Sequence, residues 1–277
     1  MMTHVLITFD VERRCVVQTR RLTLESRMNG EMRLSRIQSL LRTQEVWVGH
    51  RGANAQMPEN TMPAFEKAVE LGAHMIELDV QMTSDGEVIV LHDAFLDRTT
   101  NGSGMVANAT WAEVSRLDAG IHFYDGAASG IHVPRLAEVL DWLPEHIALN
   151  IEVKGTPANF TDLGNAVMKR VEQAGKKHQV LISSFNHQAL AQIRELDNDI
   201  ALGALYAGKL WPPFYTARTL ALSSLHETIE SIDSQWVHRV HEEGLELVVW
   251  TLRTAAEIDY CRSMGVRVFI VDDLTLL

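Results

Sequence analysis

Three carboxylates (Glu77, Asp79, Glu152), two histidines (His50, His92) and two fixed cations (Arg51, Lys154) fall at the ends of short β-rich runs. Glu77 and Asp79 alternate at period two in the apolar run Ile76-Glu77-Leu78-Asp79-Val80, so both point to one face. Glu152 repeats the pattern, flanked at the same spacing by Asn150 and Lys154. Carboxylates crowded at strand ends repel unless a cation or a proton intervenes. An oxygen-only set favours Mg²⁺ or Ca²⁺ over zinc. Pairing with Arg51 or Lys154 would explain one acid but not three together. Two imidazoles at the same mouth suit proton transfer in opposite directions, since histidine titrates near neutral pH. Arg51 and Lys154 set a local field for an anionic group such as phosphate.

The elements that must position these residues read as a parallel sheet. From Val46 onward, β-rich runs alternate with helical patterns. Strands are expected near 46–49, 75–80, 148–153, 180–184, 201–205, 221–225, 245–250 and 266–271. Eight of them, in a chain of 277 residues, predict a closed (β/α)8 TIM-type barrel with its chemistry at the C-terminal strand ends. Asn60 or Thr61 caps a helix with Pro63 in its first turn and Phe65, Ala68, Val69 and Leu71 on its buried face. Asn186 precedes a second helical pattern, and Thr254-Ala255-Ala256-Glu257 is a capping box before Ile258.

One run breaks the parallel series. Glu87-Val88-Ile89-Val90-Leu91 follows the second strand after only Ser84-Asp85-Gly86, too short for a parallel return, so a hairpin is inserted there. Asp85-Gly86 predicts a two-residue type I′ turn. Ser84 then pairs with Glu87, and counting outward places His92 opposite Asp79, on the carboxylate face. No full helix follows the eighth strand, a gap that the N-terminal segment is expected to cover. Residues 1–45 differ from the rest: arginines recur without strand rhythm, and Ile37, Leu40 and Leu41 offer one short helical face. They read as an extension of unassigned role, with the barrel domain spanning 46–277.

The formal net charge of −11 argues against a nucleic-acid-coating surface, which would want a basic face. Gly49, Gly52 and Gly102 make no dinucleotide or P-loop pattern. Cys15 and Cys261 match no metal spacing and fit a reduced interior. No signal peptide and no run of membrane-span length is apparent, so a soluble, cytoplasmic protein without stable membrane insertion is expected. His74, His146, His178 and His187 read as structural, as does His4. His122 and His132 read as surface or lid residues of a long loop. His226, at a strand end, suits either the barrel mouth or the core, and Trp250 either core or substrate.

In order along the chain, His50-Arg51-Gly52, Pro58-Glu59-Asn60-Thr61, Glu77-Leu78-Asp79-Val80, Thr83-Ser84-Asp85-Gly86, His92-Asp93, Leu96-Asp97-Arg98-Thr99-Thr100, Glu152-Val153-Lys154, Ser183-Ser184-Phe185 and Trp250-Thr251 form a specific set. Over residues 46–277 the chain resembles the glycerophosphodiester phosphodiesterases of the compact bacterial cytosolic type. The resemblance implies an α/β barrel that uses a divalent cation to hydrolyse glycerophosphodiesters to glycerol phosphate and an alcohol. It implies Glu77, Asp79 and Glu152 as metal ligands and His50 and His92 as the acid/base pair. Arg51 and Lys154 would contact phosphate, and Trp250 the substrate. Arg253 stands where the family commonly has Asn, and Val271-Asp272-Asp273-Leu274 where it often has Thr-Asp-x-Pro; these departures bear on the final loops and substrate shape. A phospholipase D-like hydrolase of lysophospholipids on the same barrel would want an apolar slot, for which Ile121-His122-Phe123-Tyr124 is a thin candidate. A non-catalytic phosphodiester-binding protein would not need the two histidines.

Overall fold

The computed structural model describes residues 6–9, 15–18, 36–155, 159–209 and 211–277. Two compact units divide at Leu34/Ser35. In the first, β1 (Leu6–Phe9) and β2 (Cys15–Gln18) pair antiparallel, Leu6 opposite Gln18. His4 and the arginines before Arg36 lie outside the described residues.

In the second unit, parallel strands β3 (Val46–Gly49), β4 (Met75–Met82), β6 (Ala148–Val153), β7 (Val180–Ser184), β8 (Ala201–Tyr206), β9 (Ser224–Thr228), β10 (Glu246–Leu252) and β11 (Val268–Val271) follow one another around the sheet. Pairing of β3 with β4 at one side and β11 at the other closes the expected eight-stranded barrel. Crossovers run through α2 (Met62–Glu70), α3 (Trp111–Val114) with α4 (Leu136–Trp142), α5 (Phe160–Gln173), α6 (His187–Leu196), α7 (Tyr215–Leu220), α8 (Ser234–Glu242) and α9 (Ala255–Ser263). Thr61 caps α2 with Pro63 in the first turn, Asn186 caps α6, and Thr254 and Glu257 make a reciprocal capping box on α9.

Strand alternation sorts two layers. Outward residues such as Leu78, Ile151, Ile182 and Val249 pack under the helices, while Val46, Met75, Ala148, Leu181, Ala201 and Val268 fill the barrel's N-terminal end. The short helix α1 (Arg36–Thr43) buries Ile37 and Leu41 in this inner cluster. It therefore closes the bottom of the barrel rather than the flank beside β11. After β11 there is one turn of 3₁₀ helix, Leu274–Leu276.

Two expectations need correction. The sixth barrel strand begins at Ser224, not 221, because Leu220 ends α7, Ala221 takes a left-handed φ of 47°, and Leu222 packs outside the sheet. The apolar run marks a helix end, and the strand proper carries polar residues on both faces. The hairpin strand β5 (Val88–Val90) pairs Val80 with Val90 and Met82 with Val88, one residue off the expected register. The Thr83 amide donates to the Glu87 carbonyl (3.0 Å), so the connection has three residues, and of these only Gly86 has positive φ. Asp85 instead accepts from the Thr83 hydroxyl (2.6 Å) and the Trp111 amide (2.9 Å), which holds its backbone out of the left-handed region a type I′ turn needs. Asp79 therefore faces Leu91, whose amide bonds its carbonyl (3.0 Å).

On the outer face of β9, Glu227 is 2% exposed and accepts from the Trp236 indole at 2.9 Å. Burial pushes its carboxyl up to about 7. A raised carboxyl value means that ionisation costs the folded state: nothing is lost below the unfolded value near 4.5, and the loss grows as pH rises through about 7. The gap corresponds to roughly 3 kcal/mol. Glu227→Gln, which keeps the acceptor for Trp236, is expected to be more stable than the parent by about that amount at pH 8. The two should converge near pH 4.5 in paired thermal or urea melts; parallel curves at both pH values would contradict the assignment.

Candidate active site

The mouth of the barrel is built first by the turn after β3. The glycine at 52 has a φ of 83°, and a Cβ there would lie 2.7 Å from the Ala64 backbone, so α2 sits directly on the turn. Arg51, also left-handed (φ 54°), donates its amide to Glu77 Oε2 at 2.9 Å. Its guanidinium lies 2.7 Å from Glu59 and 3.3 Å from Asp79. Asn60 clasps Asp79 twice: its side-chain amide donates to Asp79 Oδ2 (2.8 Å), and its Oδ1 accepts from the Asp79 backbone amide (3.2 Å).

Glu77, Asp79 and Glu152, all buried, bring carboxylate oxygens within 4.8 Å of one another. Strand pairing explains this: Asp79 is opposite Glu152 across β4 and β6, and Glu77 lies two residues below. Lys154 Nζ stands 3.0 Å from Asp79 and 2.5 Å from Glu152. Burial and the neighbouring charges of Asp79 and Glu152 push Glu77 well above the usual carboxylate range. Burial and Asp79 likewise raise Glu152, to about 7. Asp79 resists its own burial because Lys154 and Arg51 hold it low. The cluster is short of positive charge, and its donors are all oxygens, so the residues fit a hard divalent cation.

The two histidines flank this cluster, each tied through Nδ1 to a carboxylate. His50 Nδ1 is 2.6 Å from Asp272 Oδ1, and Asp272 also accepts from Asn54 (2.8 Å) and pairs with Arg253 (3.2 Å). Against its burial, the hydrogen bonds from His50 and Asn54 hold Asp272 at about 2. His92 Nδ1 is 2.5 Å from Asp93 Oδ1. Hydrogen bonds from Arg98 foremost keep Asp93 at about 2, while burial lowers the His92 imidazole. Arg98 bridges on to Glu59 with two contacts of 2.8 Å, so a chain of charges runs from His92 to Arg51. His92 reaches the mouth although it is not opposite Asp79: the chain leaves the sheet after Val90, and Gln81 holds the His92 carbonyl at 3.1 Å.

A cavity of about 200 Å³ brings His50, Arg51, Glu77, His92, Glu152, Lys154 and Trp250 together. Asp79 lies beneath them, held by Arg51 and Lys154. Phe185 meets Trp250 edge-on at 5.5 Å and forms an apolar wall. His226 lies inside the cavity wall, while His187 and His74 hold backbone groups as structural histidines do. His122 binds the Thr100 carbonyl at 2.9 Å. Sequence reasoning gave no role to Asp272, Asp93, Arg98 or Glu59, and offered Asn60 only as a helix cap, a place that Thr61 takes. Asp272 follows β11 directly, so the rule that found the other strand-end acids applied to it as well. Among the described residues no helix is long and apolar enough to cross a membrane.

The sequence profile of the Glycerophosphoryl diester phosphodiesterase family matches residues 50–276. A glycerophosphodiester phosphodiesterase of Caldanaerobacter subterraneus is 36% identical over 82% of this chain and 93% of its own length. One of Bacillus subtilis is 32% identical over 79% of this chain and 80% of its own length. A phosphodiesterase of Oleispira antarctica, solved with the product sn-glycerol-3-phosphate, superposes with a TM-score of 0.78 at 25% identity, covering 84% and 95% of the two chains. With the barrel, the carboxylate cluster and the flanking histidines in place, these matches settle the assignment: the chain belongs to the glycerophosphoryl diester phosphodiesterase family and is a phosphodiester hydrolase.

Proposed function

We propose that the chain hydrolyses glycerophosphodiesters to glycerol 3-phosphate and an alcohol with the aid of Mg²⁺ or Ca²⁺. The observation that carries this is two Nδ1-anchored imidazoles beside three buried carboxylates whose oxygens lie within 4.8 Å. Glu77, Asp79 and Glu152 would hold the cation, which when bound offsets the charge that builds on the phosphate. Arg51 and Lys154 orient the non-bridging oxygens. With Nδ1 engaged, His50 and His92 each present Nε2 to the substrate. One takes the proton of the attacking hydroxyl, from water or from the glycerol's own neighbouring hydroxyl, and the other returns a proton to the departing alcohol; the second route leaves a cyclic phosphate, which water opens to glycerol 3-phosphate with the two imidazoles exchanging roles. Asp272 and Asp93 fix the ring orientations that this exchange requires. Two cysteines far apart in sequence, with Cys261 buried and unpaired, support a cytoplasmic setting.

Product analysis tests the reaction. Glycerophosphocholine is expected to yield glycerol 3-phosphate and choline; glycerol with phosphocholine would show that the other ester bond is the one cleaved.

A further inference from the structure

The two imidazoles are anchored alike, but their anchors are not secured alike. Asp272, which holds His50, is itself held by Asn54 at 2.8 Å and by Arg253 at 3.2 Å. Asp93, which holds His92, has one other side-chain partner among the described residues, Arg98. His92 and Asp93 are also the more open pair, with side chains 32% and 30% exposed against 18% and 26% for His50 and Asp272. A ring with that little packing around it keeps one orientation only if its hydrogen-bond partner is itself fixed. What holds Asp93 therefore decides where His92 points.

Arg98 meets two carboxylates at once. Its Nε and Nη2 donate to Asp93 Oδ2 (2.6 Å) and Oδ1 (3.1 Å). Its Nη1 and Nη2 donate to Glu59 Oε2 and Oε1, both at 2.8 Å. A planar guanidinium that grips two carboxylates bidentately fixes both, which the ammonium of a lysine cannot do. The backbone beneath Arg98 is fixed as well. Leu96 packs with Val106, Val114, Ala119 and Val133 in a small apolar core of its own, inserted between β5 and α4. Thr100, 1% exposed, closes the turn by donating its amide (3.1 Å) and its hydroxyl (2.7 Å) to the Leu96 carbonyl. Arg98 thus stands on a turn pinned to the inserted layer and reaches across to Glu59, in the loop between β3 and α2. Neither Asp93, Arg98 nor Glu59 lines the cavity that His92 faces.

We infer that Arg98 is a positioning residue for the reaction: by clamping Asp93 to Glu59 it holds the His92 ring with Nδ1 on Asp93 and Nε2 toward the substrate. The inference rests on the acid/base role proposed above for His92. It also sets the two histidines apart, because the anchor of His50 has other holders and does not depend on this clamp. Without Arg98, Arg51 keeps Glu59 (2.7 Å) and Asp79 (3.3 Å), so the contact to phosphate persists and the deficit falls on proton transfer.

Arg98→Ala is expected to lower kcat for glycerophosphocholine by ~10–10²-fold, as a small displacement of a reacting group does, with KM within about threefold of the parent. Arg98 is itself 45% exposed, so Tm should move by no more than ~4 °C. In a His92→Ala background the same change should cost less than about threefold, since groups that act as a unit are not additive. Equal losses in the two backgrounds would overturn the inference and leave the hydrolytic reading intact. So would a parent-like kcat for Arg98→Ala when His92→Ala is impaired. If the parent shows no turnover, or His92→Ala matches it, the acid/base reading fails and the ring itself decides the inference. Nitrogen NMR of the neutral histidine side chains should find His92 as the Nδ1–H tautomer in the parent and shifted toward the Nε2–H tautomer in Arg98→Ala, with His50 unchanged. A His92 tautomer indifferent to Arg98 would overturn the inference.

Discussion

His92→Ala is expected to lower kcat for glycerophosphocholine by ~10²–10⁴-fold, the range spanned by a positioned general acid or base. His92 lies at the rim of the cavity, is itself half-buried and makes its hydrogen bond outward to Asp93, so its removal leaves the carboxylate cluster and its cations in contact. Folding and the rise in Tm on adding Mg²⁺ or Ca²⁺ should therefore survive the change. His50→Ala should show a comparable loss. Asp272→Asn, which keeps the imidazole but weakens its anchor, should fall between His50→Ala and the parent. Turnover of His92→Ala near the parent rate would remove His92 from the mechanism.

The second large effect is structural. Asp79 is 1% exposed and holds both Arg51 (3.3 Å) and Lys154 (3.0 Å), themselves only 16% and 17% exposed. Removing one partner of a buried ion pair typically costs about 3–5 kcal/mol, because the other charge stays desolvated and unpaired. Asp79→Ala strands two cations at once and also frees the Asn60 clasp. The remaining exposure of the cations, and their alternative partners Glu59 and Glu152, put the expected loss near the lower figure, about 3 kcal/mol. Urea unfolding in chelator, where no metal contributes, measures it. An unchanged midpoint would mean that the cations do not depend on Asp79.

Most of this site was legible in the sequence because strand geometry is periodic. Glu77, Asp79 and Glu152 share a face by period two, and parallel neighbours bring the ends of β4 and β6 level. His50 and Arg51 follow from being the first residues past β3. The hairpin was legible as a hairpin but not in register, because Asp85 spends its side chain on Thr83 and Trp111, partners distant enough or local enough that dipeptide preferences do not encode them. His92 joins the site through an irregular exit from β5, which no alternation rule describes. Asp272 stands at a strand end that the same rule covers, but its pairing with His50 and the Arg98–Glu59 bridge span 222 and 39 residues and show only once the barrel closes. The sixth strand was misplaced for a related reason: its inner face carries Ser224 and His226 and its outer face Glu227, so the hydrophobic signal marked the adjacent helix end instead.

Release of glycerol 3-phosphate from glycerophosphocholine and glycerophosphoethanolamine, followed with Mg²⁺, with Ca²⁺ and with chelator, tests the central claim most directly. Release from both substrates that chelator abolishes and added cation restores is the predicted result. Release that persists in chelator would contradict a catalytic role for a cation held by Glu77, Asp79 and Glu152, and no release from folded protein under any condition would contradict the hydrolytic reading itself.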